Sequence, residues 1–123
     1  MIENKKSVRF NEPDRGEIVI INDPDLPERL IKRVVGLPGE TIHIANGEVW
    51  IDGTRLEEPY VKGKTYPSTL SMPYTIPEDH VFVMGDNREH SMDSRSMGAI
   101  PLAHVEGTTA FRVWPLSAFG SLD

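Results

Sequence analysis

Leu30–Gly39 reads LIKRVVGLPG. Leu30, Ile31, Val34 and Val35 surround a basic pair, and Gly-Leu-Pro-Gly closes the run. A short apolar run bounded by turn residues is the pattern of a buried strand. Side chains alternate faces along a strand, so Lys32 shares a face with Leu30 and Val34. Taking an ammonium group out of water costs several kcal/mol unless it is paired or neutralised. Two readings of Lys32 follow. On an edge strand its stem would cover apolar surface while the amine reaches water. Inside a sheet, burial lowers a lysine pKa, by up to ~3–5 units in extreme cases. Bringing it from ~10.4 to about 8 requires roughly 3 kcal/mol of differential environment. A neutral lysine can take the proton of a serine hydroxyl, the chemistry of Ser-Lys hydrolases.

The flanking sequence extends the strand reading. Gly16–Asn22, GEIVIIN, is rich in β-branched residues, and DPDLPE (Asp23–Glu28) is a turn-rich connection to the Lys32 strand. ETIHIANGEVWIDG (Glu40–Gly53) is a hairpin, with Asn46-Gly47 supplying the positive φ angles of a tight turn. HVFVM (His80–Met84) and VEGTTAFRVW (Val105–Trp114) are further strands. A Pro-rich excursion with no sustained period occupies about residues 54–79, the kind of loop that is often functional. Ten prolines and ten glycines cut the chain into short pieces, and no amphipathic helix or repeat stands out. The expected class is all-β with antiparallel sheets, and residues 1–123 are read as one domain.

Composition narrows the function. A net charge of -6 argues against nucleic acid as a partner. With no cysteine there is no thiol nucleophile, disulfide framework or thiolate metal site. The histidines at 43, 80, 90 and 104 have no ligand spacing, so no metal is expected. No glycine-rich nucleotide loop occurs, and no cofactor is expected. No run approaches the ~20 apolar residues of a membrane-spanning helix.

Polar density peaks at Gly85–Arg95, GDNREHSMDSR, just after an apolar strand. A loop placed by a rigid sheet is a common home for catalytic groups. Its own charges would also shape it: Asp93 with Arg95, or Asp86 with Arg88, are the pairs expected to form. Composition does not rank Ser91, Ser94 and Ser96.

RGEIVI (Arg15–Ile20), LIKRVVGLPGE (Leu30–Glu40) and GDNREHSMDSR resemble, in order and context, three sequence boxes of bacterial signal peptidase I. FRVWP (Phe111–Pro115) resembles that family's C-terminal region. The resemblance implies antiparallel sheets of conjoined barrel-like character. It also implies a serine endopeptidase, anchored in the cell membrane with its catalytic domain on the extracytoplasmic face. Such enzymes cleave signal peptides from exported preproteins after a small-x-small motif. The partners it implies are therefore signal peptides and the membrane surface. Lys32 falls on the family's general base and Ser91 on the hydroxyl that orients it. Asp93 and Arg95 fall on a structural ion pair. Arg33, Gly85, Asp86 and Asn87 belong to the same boxes. Arg29, Leu30 and Ile31 resemble the strand that pairs with substrate, and Ile20 and Ile31 would help line shallow pockets.

One part of the pattern departs. The family's nucleophile lies in an S-M-x-P-T-like box upstream of the RGEIVI equivalent. MIENKKSVRFNEPD (Met1–Asp14) matches only the stretch after it. The expectation is a domain truncated at its N-terminal side, without its nucleophilic serine and inactive alone. Ser71-Met72-Pro73 resembles the box but in the wrong chain order, and Ser7 falls on a non-catalytic position. The alternatives are a non-catalytic homologue that holds extended peptides or pilus-type subunits, and, more distantly, a self-cleaving repressor.

Overall fold

The structure, a computed structural model, describes residues 13–61, 63–89 and 92–108. Its strands are β1 (Ile18–Ile21), β2 (Leu30–Gly36), β3 (Thr41–Ala45), β4 (Glu48–Ile51), β5 (Thr54–Arg55), β6 (Tyr74–Thr75), β7 (His80–Met84), β8 (Ile100–Pro101) and β9 (Val105–Thr108). They form a five-stranded sheet, β8-β7-β2-β1-β9, and a four-stranded sheet, β5-β4-β3-β6, with every pairing antiparallel. The all-β antiparallel class expected from the sequence is the class observed. Trp114 and the FRVWP ending lie outside the described residues.

The larger sheet is apolar on both faces. Val19, Ile21, Val34, Val81 and Val83 belong to one cluster; Val35, Phe82 and Met84 join the hairpin residues Ile42, Ile44, Val49 and Ile51 in the other. This is the alternation of β1, β2 and β7 read out on two sides. The register between β2 and β7 shifts between Val34 and Gly36. That bulge turns Val35 and Gly36 toward the second cluster, two residues against one. Glycine lets the second position pack closely, because a Cβ there would displace Ile76 Cδ1 and lie 3.3 Å from Phe82 Cβ.

The chain path makes the larger sheet curl. β8 and β9 are its two edges, yet only Leu102–His104, a 3-10 turn, separates them. Four flat inter-strand gaps would span about 19 Å, whereas four residue steps reach at most about 14 Å. The edges therefore approach one another, and Ile100 and Val105 from opposite edges share the first cluster. Two backbone bonds fasten the closure: Asn22 N–H donates to the His104 carbonyl at 2.9 Å, and Leu102 N–H to that of Asp79 at 2.8 Å. This is the barrel-like character that the resemblance implies.

The β3–β4 hairpin turns at Asn46 (φ 56) and Gly47 (φ 78), the left-handed pair required of a two-residue turn. The excursion after it is not wholly irregular, since β5 and β6 add short edges to the second sheet at its two ends. Two-residue strands carry no period, so neither could be read in advance. Among the described residues no helix is long and apolar enough to cross a membrane.

Candidate active site

β2 lies between β7 and β1 in the larger sheet, and the burial of Lys32 excludes the reading in which its amine reaches water from an edge strand. Lys32 is 3% exposed, and Val19, opposite it in β1, is fully buried. Leu30, Lys32 and Val34 share one face, as alternation requires, while Ile31, Arg33 and Val35 point to the other. Pairing between β2 and β7 begins only at Arg33, opposite Met84. On that side Leu30–Lys32 runs past the described end of β7. The chain leaves β7 at Gly85, the first residue of GDNREHSMDSR.

Arg33 is tied down on the opposite face. Its Nε donates to Asp86 Oδ1 at 2.9 Å and its NH2 group to Oδ2 at 2.8 Å. NH1 donates to the Gly16 carbonyl at 2.8 Å, and the Tyr60 ring covers the guanidinium at 3.8 Å. The sequence expectation that Asp86 pairs with Arg88 is therefore corrected. Arg33 presents a planar fork to both carboxylate oxygens from the neighbouring strand, the strong bidentate geometry. Arg88 turns instead to the excursion. Its NH1 and NH2 groups donate to Glu58 at 3.0 and 2.8 Å, NH1 also to Thr65 Oγ1 at 3.1 Å, and Nε to the Gly85 carbonyl at 2.8 Å. The Arg88 side chain has no exposed surface. Burial pushes the Tyr60 hydroxyl pKa up, with Glu58 adding to the shift and Arg33 and Arg88 opposing it.

The Asp93–Arg95 pair forms as expected, bidentate at 2.9 and 2.8 Å and buried. Asp93 has two further tasks. It accepts the Gly85 N–H at 3.2 Å, and it caps the single-turn helix α1 (Ser94–Met97) through the Arg95 N–H at 3.0 Å. Ser94, fully buried, accepts the Val83 N–H at 3.0 Å. The sequence reading had no helix here, because four residues are too few to show a hydrophobic period; Asp93 as a capping residue was the available sign. Arg95 NH1 also donates to the Tyr66 carbonyl at 3.2 Å.

Other candidate residues fall around this centre. Ser91 lies outside the described residues. Gly85 is buried and Asn87 half-buried in the loop after β7. Ile20 and Ile31 form a cross-strand pair, both partly buried, on the face of Arg33 rather than that of Lys32. Leu30 is partly buried on the Lys32 face, and Arg29 is exposed and bonded to Glu106 at 2.6 Å. Trp50 is half-buried in the second sheet. Glu58, Tyr60 and Thr65 were missed by sequence reasoning, since no spacing links them to arginines far along the chain. The same holds for the Arg15–Glu40 pair, bonded at 2.6 and 2.8 Å, which ties RGEIVI to LIKRVVGLPGE.

Comparison with known proteins gives the family of the chain. Residues 1–114 match the family described as signal peptidase, peptidase S26. A signal peptidase I of Leptolyngbya laminosa is 38% identical over 99% of this chain and 63% of that protein. Signal peptidase I S of Bacillus subtilis is 35% identical over 88% of this chain and 63% of its own length. The chain thus spans about three fifths of the length of the curated relatives it matches. The crystal structure of a signal peptidase I from Enterococcus faecalis V583 superposes with a TM-score of 0.69 at 34% identity, covering 83% of this chain and all of that one. Sequence and fold agree that this chain belongs to the signal peptidase family, peptidase S26.

Proposed function

We propose that this chain supplies the general base of a Ser-Lys endopeptidase that removes signal peptides from exported preproteins at the extracytoplasmic face of the cell membrane. The observation that carries the reading is Lys32, 3% exposed in a central strand, where β2 runs past the described end of β7. Burial disfavours the ammonium form. Nζ then accepts the proton of a nucleophilic serine as its Oγ attacks the scissile carbonyl, and returns that proton to the leaving amine. Lys32 Nζ, neutral again, then takes a proton from the water that attacks the resulting ester and passes it to the departing serine Oγ.

Ser91 is assigned to orient Lys32, and the Asp93–Arg95 pair, Gly85 and Asn87 to shape the loop that carries it. An extended substrate would add along β2 at Arg29–Ile31 as a further strand. Leu30 would meet its side chains on one face and the Ile31–Ile20 pair on the other. The test joins this chain to the segment of Bacillus subtilis signal peptidase I S that lies outside its match. The chimera is expected to cut a preprotein after a small-x-small motif and to lose that activity with Lys32→Ala. Signal-peptide binding without cleavage would instead mark a peptide-holding homologue. Neither cleavage nor binding would overturn the reading.

A further inference from the structure

The excursion between β5 and β6 makes two contacts that the proposed mechanism does not use. Glu58 grips the buried Arg88 with two hydrogen bonds, at 3.0 and 2.8 Å. Two residues later Tyr60 lies over the guanidinium of Arg33 at 3.8 Å. Arg33 and Arg88 are themselves joined, because Arg33 holds Asp86 and Arg88 Nε holds the carbonyl of the adjacent Gly85. The contacts close a ring: from β2 through Arg33 to Asp86 and Gly85, to Arg88, to Glu58, and through Tyr60 back to Arg33.

We infer that Glu58-Pro59-Tyr60 is a positioning clip that sets Gly85–Arg88, the first residues after β7, against β2. Three features support this. The ladder between β2 and β7 stops at Arg33 and Met84, and beyond it Asn87 forms only an isolated bridge. The ring adds a side-chain hold at the same place. Each clip residue contacts one of the two things to be aligned, Glu58 the loop and Tyr60 the strand, so one short segment spans both. The Arg33 fork is occupied in its plane by Asp86 and the Gly16 carbonyl, which leaves its face for the ring, where an arginine–aromatic contact is favourable. The catalytic part of the inference rests on the base role proposed for Lys32. The structural part does not.

The test compares Tyr60→Leu, Tyr60→Phe and Glu58→Gln with the parent by two readouts. The first is amide exchange on the 123-residue chain. Gly85 N–H, which donates to Asp93, is expected to exchange about tenfold faster in Tyr60→Leu and Glu58→Gln, with Ile44 and Val49 of the hairpin unchanged. Tyr60→Phe keeps the ring and is expected to match the parent. Unchanged Gly85 exchange in both disruptive variants would overturn the clip, whatever the activity. The second readout is cleavage by the chimera, where Tyr60→Leu is expected to lower kcat by about three- to tenfold with KM held and Phe restoring it. Faster exchange with an unaltered kcat in an active chimera would overturn the catalytic part. An inactive parent chimera would count against the proposed function alone, and the exchange arm would still decide whether the clip exists.

Discussion

Arg33 and Asp86, 53 residues apart in the chain, meet through two charge-assisted hydrogen bonds of 2.9 and 2.8 Å. Their side chains are 7% and 12% exposed. The pair joins the strand that carries Lys32 to the loop that follows β7, so two distant boxes of the sequence become one site. Removing one partner leaves a buried charge uncompensated, which costs far more than the pair contributes as a unit. Asp86→Ala is expected to lower stability by about 3 kcal/mol, read as a fall in the urea midpoint at constant m. The double variant Arg33→Leu/Asp86→Leu is expected to lose less than Asp86→Ala alone.

Arg29 and Glu106 form a pair of the opposite kind. Their bonds are as short, at 2.6 and 3.0 Å, but both groups are open to solvent. The hydrogen bond from Arg29 lowers the Glu106 pKa below its ordinary 4.5. A depressed carboxylate pKa stabilises the fold above the unfolded value, and that contribution fades as pH falls through the folded one. Arg29 stays charged throughout, because the same contacts raise its pKa. NMR titration of the Glu106 carboxyl is expected to give a midpoint below 4.5 that moves upward in Arg29→Ala. Added salt should shrink the difference, whereas the Asp86→Ala deficit should persist.

The strands could be read because their residues obey a period of two or end in turn residues. β2, the β3–β4 hairpin and β7 fall where LIKRVVG, the Asn46-Gly47 turn and HVFVM place them. Alternation alone put Lys32 on an apolar face. It did not say whether β2 was central or at an edge, because strand order is set by pairing between distant segments. The ion-pair partners escaped for the same reason. Asp93 and Arg95 are near neighbours and were expected; Arg33–Asp86 and Arg88–Glu58 join segments 53 and 30 residues apart. The catalytic roles came from resemblance. What the structure adds to them is the burial of Lys32 and the connections among the three boxes.

Tyr60 gives the site an alkaline signature. Burial raises its pKa above the ordinary 10.0, and the nearby Glu58 carboxylate raises it further against the opposing arginines. Between the unfolded and folded values the native state binds more protons than the unfolded chain, so stability falls as pH rises past about 10. Denaturation at stepped pH is expected to show this loss in the parent. In Tyr60→Phe the curve should be flatter, since the ring remains and the titrating hydroxyl does not. Equal slopes in both proteins would mean that Tyr60 titrates no differently folded than unfolded.

Lys32 is where stability and function should part. Arg33, Arg88 and Arg95 are buried with carboxylate partners held by two bonds each. Each of them should be missed by the fold. A lysine kept for proton transfer should be missed by the chemistry, because neither an apolar chain of similar length nor a permanently charged one can accept a proton. In the chimera Lys32→Met should lower kcat at least about a hundredfold, the scale on which a positioned general base contributes. Lys32→Arg should be as inactive, since a guanidinium does not give up its proton at working pH. A folded Lys32→Met chimera that still cleaves would assign Lys32 to the fold and send the search for the base elsewhere.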